Sequence, residues 1–154
     1  MAEQENAQQQ FNIQKIYLKD VSFESPNAPE VFQDGEWKPE VNVQLNTNAK
    51  TLAEGVHEVT LTVEVTAKHG DKTAFLVEVK QAGVFQVANI PAEQMGAMLA
   101  AYCPEILFPF VREAISDLVS KGGFPQLLLN PVNFNALYMQ HQQQQQQKTA
   151  ETAH

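Results

Sequence analysis

The first half of the chain alternates between apolar and polar residues. In "VHEVTLTVEVTA" (residues 56–67), Val59, Leu61, Val63 and Val65 are separated by threonine and glutamate. This period of two predicts an antiparallel strand with one dry and one wet face. The same alternation in "FNIQKIYLKDVSFE", "EVNVQLNTNAK" and "KTAFLVEVKQAGVFQV" predicts three more strands, with Val41, Val43 and Leu45 of "EVNVQLNTNAK" facing the core.

The second half has helical spacing. "PAEQMGAMLAAYC" predicts a helix that ends near Pro104, because proline cannot continue the hydrogen-bond ladder. A second helix follows up to Gly122, and a third begins after Asn133, a suitable N-cap. The second helix has its apolar stripe at Leu107, Phe108, Val111, Ile115, Leu118 and Val119. Strands followed by helices predict an α+β fold: a four-stranded antiparallel sheet with helices packed on its dry face.

The two ends of the chain are polar. Residues 1–10 and the glutamine-rich residues 141–154 offer little to bury, so the sequence predicts disordered ends around one domain at 11–140. No signal peptide is visible, and no apolar run reaches the ~18–20 residues that span a bilayer. The net charge of −8 argues against nucleic acid and anionic membranes. We therefore expect a cytoplasmic protein with basic partners.

The second predicted helix carries more apolar surface than one sheet can cover. Ile106 and Phe110 lie off its main stripe, and with Phe108 they make the first turns apolar nearly all round. Such a helix is buried on two sides. The sequence favours an oligomer with Ile106, Phe108 and Phe110 at the interface; the alternative is that the loop "FPQLLLNP" folds back over them.

A second apolar surplus lies in the loops and the last helix. The long loop between the first two strands carries Phe32 and Trp37, where polar residues would be usual. Two interpretations remain open, a satellite core under the loops or an apolar groove for a ligand. The residues concerned are Phe32, Trp37, Phe124, Leu127, Leu128, Leu129, Phe134, Leu137 and Tyr138.

Chemistry-bearing residues are sparse. Cys103 is the only cysteine, and no histidine neighbours it in sequence to activate it as a nucleophile. We interpret it as a small buried residue; the competing hypothesis of a thiol enzyme would require Cys103→Ser to abolish activity without loss of stability. No metal-ligand spacing and no glycine-rich phosphate loop are visible. The sequence predicts no enzyme, no cofactor and no metal site.

The wet face of the predicted sheet is acidic. Asp20 and Glu24 share a face of the first strand, and Leu76 and Glu78 point away from the dry residues of the fourth. An acidic surface with one exposed leucine suits a basic partner that carries a small apolar group. The alternative is an ordinary solvated face.

Four motifs carry a resemblance to a known family. They are "YLKDVSFESPNAP", "TAFLVEV", "YCPEILFPFVRE" and "GGFPQLLLNPVNFNALY". Over residues 11–140 the chain resembles SecB, the bacterial protein-export chaperone family. The resemblance implies a four-stranded sheet with helices, assembled as a tetramer that is a dimer of dimers. It implies a chaperone without enzymatic activity that holds unfolded secretory precursors and delivers them to the SecA motor.

The resemblance also implies two sites. The outer sheet face would receive the zinc-bearing basic tail of SecA at Asp20, Glu24, Leu76 and Glu78. Clients would bind a groove between the loop after the first strand and the last helix, lined by Trp37, Leu127, Phe134, Leu137 and Tyr138. The loop before Trp37 is a residue longer than the family form, and the glutamine tail is no family hallmark. The alternative function is a SecB-like chaperone dedicated to one partner, such as a toxin-antitoxin system.

Overall fold

A computed structural model of the chain describes residues 8–152. Four strands form the first half and a set of helices the second, as the periodicities predict. The strands are β1 (Gln10–Glu24), β2 (Glu40–Ala53), β3 (Val56–His69) and β4 (Lys72–Ala88), with a 3-10 turn at Glu30–Gln33. The helices are α1 (Ala92–Ala97), a π-helical turn (Met98–Tyr102), α2 (Cys103–Lys121) and α3 (Phe134–Thr152).

The four strands form one antiparallel sheet in the order β1-β4-β3-β2. The alternation in β3 and β4 determines which face is dry. Val63 lies opposite Val79, and both are fully buried beneath the helices. The predicted α+β architecture is therefore confirmed.

Helix α2 crosses the central strands β3 and β4 on this dry face. A glycine in β4 allows the close approach. A Cβ atom at Gly83 would lie 2.7 Å from the Phe85 ring and 3.2 Å from Leu107 of α2. Because real Cβ atoms do not approach other atoms at such distances, this position of the strand has no room for a side chain beneath the helix.

The edge strand β2 is less covered than its alternation predicts. Val41 and Val43 are each 40% exposed, whereas Leu45 is partly buried against the core. The prediction that all three face the core is wrong for the two valines. The physical reason is position: α2 lies over the central strands, and the outer end of the edge strand extends beyond it.

The predicted helix break at Pro104 is also wrong. The chain stays helical through a π turn, in which the Cys103 N–H donates to the Met98 carbonyl five residues earlier. A wider turn before Pro104 accommodates its ring and its missing N–H. The run Ala92–Lys121 is therefore long and apolar enough, by length and composition, to cross a membrane, contrary to the sequence-based expectation. Core helices of soluble proteins meet the same criterion, and α2 packs on the sheet.

Helix α3 begins as predicted and ends much later. Asn133 caps it, its Oδ1 accepting the Ala136 N–H at 3.0 Å. The predicted disordered tail, 141–154, is instead helical as far as Thr152, because glutamine is a good helix former and no glycine or proline interrupts the run. The first strand begins at Gln10, inside the predicted disordered segment 1–10; residues 1–7 and 153–154 lie outside the described residues.

Candidate functional site

The outer face of the sheet carries a compact acidic surface. Register places Glu24 opposite Leu76 on neighbouring strands β1 and β4, and Asp20 opposite Lys80. Glu78 shares that face of β4 with Leu76, so the structure brings together all four residues of the predicted docking set. We call this set, Asp20, Glu24, Leu76 and Glu78, the acidic face.

Two neighbours modify its charge. Glu64 of β3 lies opposite Glu78 and adds a fifth side chain to this part of the sheet. Lys80 is the neighbouring cation, with its Nζ 3.9 Å from Glu78 Oε1. Since the pair is partly exposed, water and salt screen much of its attraction. The surface therefore keeps an excess of negative charge, with Leu76 at one end of it, between Glu24 of β1 and Thr66 of β3.

A hydrogen-bonded cluster lies further along the same outer face. Glu58 accepts hydrogen bonds from Lys19 Nζ at 2.8 Å and from the Tyr17 hydroxyl. The bond from Lys19, followed by that from Tyr17, lowers the pKa of Glu58. Burial, followed by the hydrogen bond to Glu58, raises the pKa of Tyr17 to about 12. The cluster cross-links β1 to β3 across β4, and sequence reasoning gave no sign of it.

An apolar groove of about 310 Å³ lies between β2, the π turn and α3. Three of the five predicted client-groove residues line it: Phe134, Leu137 and Tyr138. Leu45 of β2 and Ala100 of the π turn complete its apolar walls. We call this site the α3 groove.

The other two predicted groove residues lie elsewhere. Trp37 belongs to a ring cluster in which its centroid is 5.3 Å from Phe124, and Phe124 is 5.0 Å from Phe32 and 5.1 Å from Phe75. We call these four rings the aromatic cluster. Leu127 is partly buried against the core. The apolar surplus thus divides: Trp37, Phe124 and Leu127 pack into the main core rather than a satellite core, and α3 borders an open groove.

Phe108 lies inside the chain rather than at its surface. It is only 5% exposed, and its ring contacts Phe134 of α3 at a centroid distance of 5.8 Å. Its predicted place at an interface with another chain is wrong, because α3 of the same chain covers it. Ile106 is partly buried in the core, whereas Phe110 is 43% exposed.

Phe110 borders a second groove, of about 600 Å³, between β1 and α2. Leu18 and Val21 of β1 line it and are 54% and 37% exposed. Among residues 8–152, no strand pairs with the outer backbone edge of β1 beyond this groove. We call Leu18, Val21 and Phe110 the β1 patch.

Cys103 is fully buried, as predicted, and burial raises the pKa of its thiol to about 12. A neutral thiol without access to solvent is a poor nucleophile. Within residues 8–152, no group of histidine, cysteine, aspartate and glutamate side chains is suited to hold a metal ion.

Sequence reasoning missed His69, whose ring lies 5.2 Å from that of Trp37. The alternation of β3 could have indicated its burial. Continuing the alternation of β3 from Val65 and Ala67 places residue 69 on the dry face, and His69 is indeed 8% exposed. Its position beside the turn "HGDK" concealed this.

The architecture is that of the SecB-like chaperones. A SecB-like chaperone from Mycobacterium tuberculosis, solved in complex with a peptide from an antitoxin, superposes with a TM-score of 0.66. The superposition covers 79% of this chain and 90% of that one. At 16% identity the likeness shows the fold alone.

Sequence comparison identifies the family. The chain belongs to the SecB family, since the family model described as "Preprotein translocase subunit SecB" matches residues 4–145. The "Protein-export protein SecB" of Nitrosococcus oceani is 60% identical over 144 residues, which cover 93% of this chain and 88% of the relative. That of Thioalkalivibrio sulfidiphilus is 62% identical over 137 residues, 88% of this chain and 81% of the relative.

Proposed function

We propose that this protein is a cytoplasmic protein-export chaperone that holds unfolded secretory precursors and delivers them to SecA. The observation that carries the proposal is the 60% identity, over 93% of the chain, to a relative named for protein export. The alternative, a chaperone dedicated to one toxin-antitoxin partner, is not favoured, because the SecB-like protein bound to an antitoxin peptide is only 16% identical.

The α3 groove and the aromatic cluster supply the client-binding surface in this proposal. Burying one large apolar side chain contributes about 1.5–3 kcal/mol, so either site alone holds an extended chain weakly. Contacts at several such sites along one client raise the overall affinity, because each later contact is intramolecular. Selection then follows from exposed apolar segments in an unfolded chain rather than from one sequence.

The acidic face is the proposed SecA-docking surface. Its carboxylates attract a basic segment, and Leu76 offers an apolar contact beside Glu24. This complementarity favours fast and specific association more than high affinity. The client sites lie on the other side of the sheet and at the β2 edge, so a client and SecA can occupy the protein together.

The β1 patch supports assembly into the proposed tetramer. Its exposed apolar residues surround a groove beside an unpaired strand edge, and a second chain would cover both. Phe110 takes the role that the sequence assigned jointly to Ile106, Phe108 and Phe110. Sedimentation should give four chains, and a stable monomer at micromolar concentration would contradict the proposal.

Charge-reversal variants separate docking from holding. Glu78→Lys, or Asp20→Lys with Glu24→Lys, should abolish binding to SecA while the protein still suppresses aggregation of an unfolded precursor. Glu54→Lys in the β2–β3 turn makes the same charge change as Glu78→Lys; it is the matched control for that variant and should leave both activities intact. Simultaneous loss of both activities in the acidic-face variants would show that the surface is not a separate site.

Groove variants provide the converse test. Trp37→Ala with Tyr138→Ala should weaken precursor binding, because the two substitutions remove aromatic surface that a client would contact. They should leave SecA binding and the oligomeric state unchanged. Unchanged precursor affinity would exclude these two surfaces as client sites.

A further inference from the structure

The loop that carries Trp37 is attached to the β3–β4 hairpin through a histidine. His69 Nε2 lies 2.6 Å from the backbone carbonyl oxygen of Asp34. Since a carbonyl oxygen can only accept, Nε2 carries the hydrogen and donates it. The same imidazole lies against the Trp37 indole, with centroids 5.2 Å apart and planes inclined by 32°. One side chain therefore contacts both the backbone of the loop and its tryptophan.

Two polar contacts and an ion pair also hold the loop, but they involve other residues than Trp37, whose indole packs on Phe124 as well as on His69. Ser25 Oγ donates to the Ala74 carbonyl at 3.0 Å, and Asn27 Nδ2 donates to the Thr73 carbonyl at 2.9 Å. These two bonds fix the beginning of the loop. Near its end, Lys72 Nζ lies 3.1 Å from Asp34 Oδ2, in a pair that is about 40% exposed and hence weakly stabilising. His69 and Phe124 are thus both buried contacts of Trp37, and His69 is the one that also binds the loop backbone, at Asp34.

The second ring nitrogen shows why packing alone does not account for a histidine here. His69 Nδ1 is buried and, within residues 8–152, is the single buried side-chain nitrogen or oxygen without a hydrogen-bond partner. An unpartnered buried acceptor destabilises the folded state. A purely apolar ring would fill the same space without that penalty. The hydrogen bond from Nε2 to Asp34 is the contribution that an apolar ring cannot make.

We propose that His69 is a positioning residue for client binding, which fixes the Trp37 indole as a rigid contact surface. The proposal rests on the proposed function, in which the aromatic cluster contacts clients. Trp37 is partly exposed and Phe32 beside it is 49% exposed, so this cluster presents aromatic surface to solvent. An indole already held in place loses less conformational freedom when a client side chain packs on it.

Two substitutions separate positioning from space filling. His69→Gln can keep a donor near the Nε2 position but has no ring, whereas His69→Phe keeps a ring and has no donor. Dissociation constants are measured for reduced, carboxyamidomethylated ribonuclease A, a permanently unfolded probe. We expect His69→Phe to weaken binding about two- to tenfold, the effect of one lost hydrogen bond, and His69→Gln to retain most of the affinity. Full affinity in His69→Phe with weak binding in His69→Gln would overturn the proposal in favour of space filling.

Trp37 is the only tryptophan, so its fluorescence reports the loop directly. His69→Phe should increase quenching of this emission by iodide, and His69→Gln should leave it near the wild-type value. Urea unfolding checks that both variants fold. Unchanged quenching in a folded His69→Phe variant would overturn the proposal.

A double-mutant cycle shows whether His69 acts through Trp37. In a Trp37→Ala background, His69→Phe should cause no further loss of probe affinity; an equal further loss would mean that His69 acts independently and would overturn the proposal. A rise in probe affinity on His69→Phe would also overturn the proposal, because it would mean that the loop blocks the client site when His69 holds it in place. If Trp37→Ala with Tyr138→Ala weakens binding and His69→Phe does not, the proposed function stands and this inference alone fails.

Discussion

Phe108 and Phe110 form a matched pair for testing which side of α2 would face another chain in the proposed oligomer. They lie two positions apart in one helix and carry the same side chain. Phe108 is 5% exposed and packs on Phe134, whereas Phe110 is 43% exposed in the β1 patch. Alanine substitution removes the same atoms from both, so a difference between the two variants reports their surroundings.

The structure gives different magnitudes for the two changes. A buried Phe→Ala substitution costs about 3–5 kcal/mol through lost transfer free energy and the cavity left behind. For a chain of this length, Phe108→Ala should lower the melting temperature by about 10 °C. Phe110 has roughly half its surface buried within the chain, so Phe110→Ala should cost the isolated chain about 1 kcal/mol.

Protein concentration distinguishes the two effects. Because assembly stabilises the folded chain by mass action, a loss at an interface grows with protein concentration, and a loss in the core does not. Urea unfolding is followed by Trp37 fluorescence over a wide concentration range, with sedimentation velocity on the same samples. We expect Phe110→Ala to sediment as smaller species and Phe108→Ala to retain the wild-type assembly below its melting temperature. The opposite assignment, with smaller species for Phe108→Ala alone, would refute the reasoning.

Three further predictions concern single residues. Cys103 should resist alkylation at mildly alkaline pH in the native protein and react after unfolding, because its pKa is raised to about 12; rapid native labelling would contradict its burial. Tyr17 stabilises the fold in its protonated form, so its contribution is complete below its ordinary pKa of 10.0 and is lost as the pH rises toward about 12. Phenolate absorbance should show a late-titrating component that Tyr17→Phe removes. Gly96→Ala should weaken client binding, since its Cβ would lie 2.5 Å from the Tyr138 hydroxyl oxygen and displace that ring; unchanged affinity would place Tyr138 outside the client site.

The sheet was predictable because its signal is local. A period of two predicts β2, β3 and β4 and the two faces of each, whereas the longer β1, which contains two bulges, is less regular. The placement of Leu76 and Glu78 opposite to Val77 and Val79 needed no knowledge of the rest of the chain. Strand order and register then brought Asp20 and Glu24 of β1 beside them.

The wrong predictions concern residues whose burial depends on elements that are distant in the sequence. Alternation shows that Val43 is on the dry side of a strand but not that β2 lies at the edge, where the helices leave it exposed. Helical spacing likewise places Phe108 on the apolar side of α2. It does not show that α3, which lies far along the chain, packs on this residue. The π turn was missed because proline is ordinarily a helix breaker, and the period of the apolar residues does not show that a wider turn can accommodate Pro104.

The proposed separation of the docking surface from the client sites depends on the pleat of one strand. In β4, Val77 and Val79 belong to the core that supports α2, while Leu76 and Glu78 belong to the acidic face. A change at Glu78 therefore alters a solvent-facing surface without touching the residues that position the helices. The α3 groove is bordered by β2 at the far edge of the sheet, with β3 between it and β4. We thus expect substitutions on the acidic face and in the groove to act additively on stability, as distant sites without shared partners do, and a coupling above about 0.5 kcal/mol would show that the two surfaces communicate through the sheet.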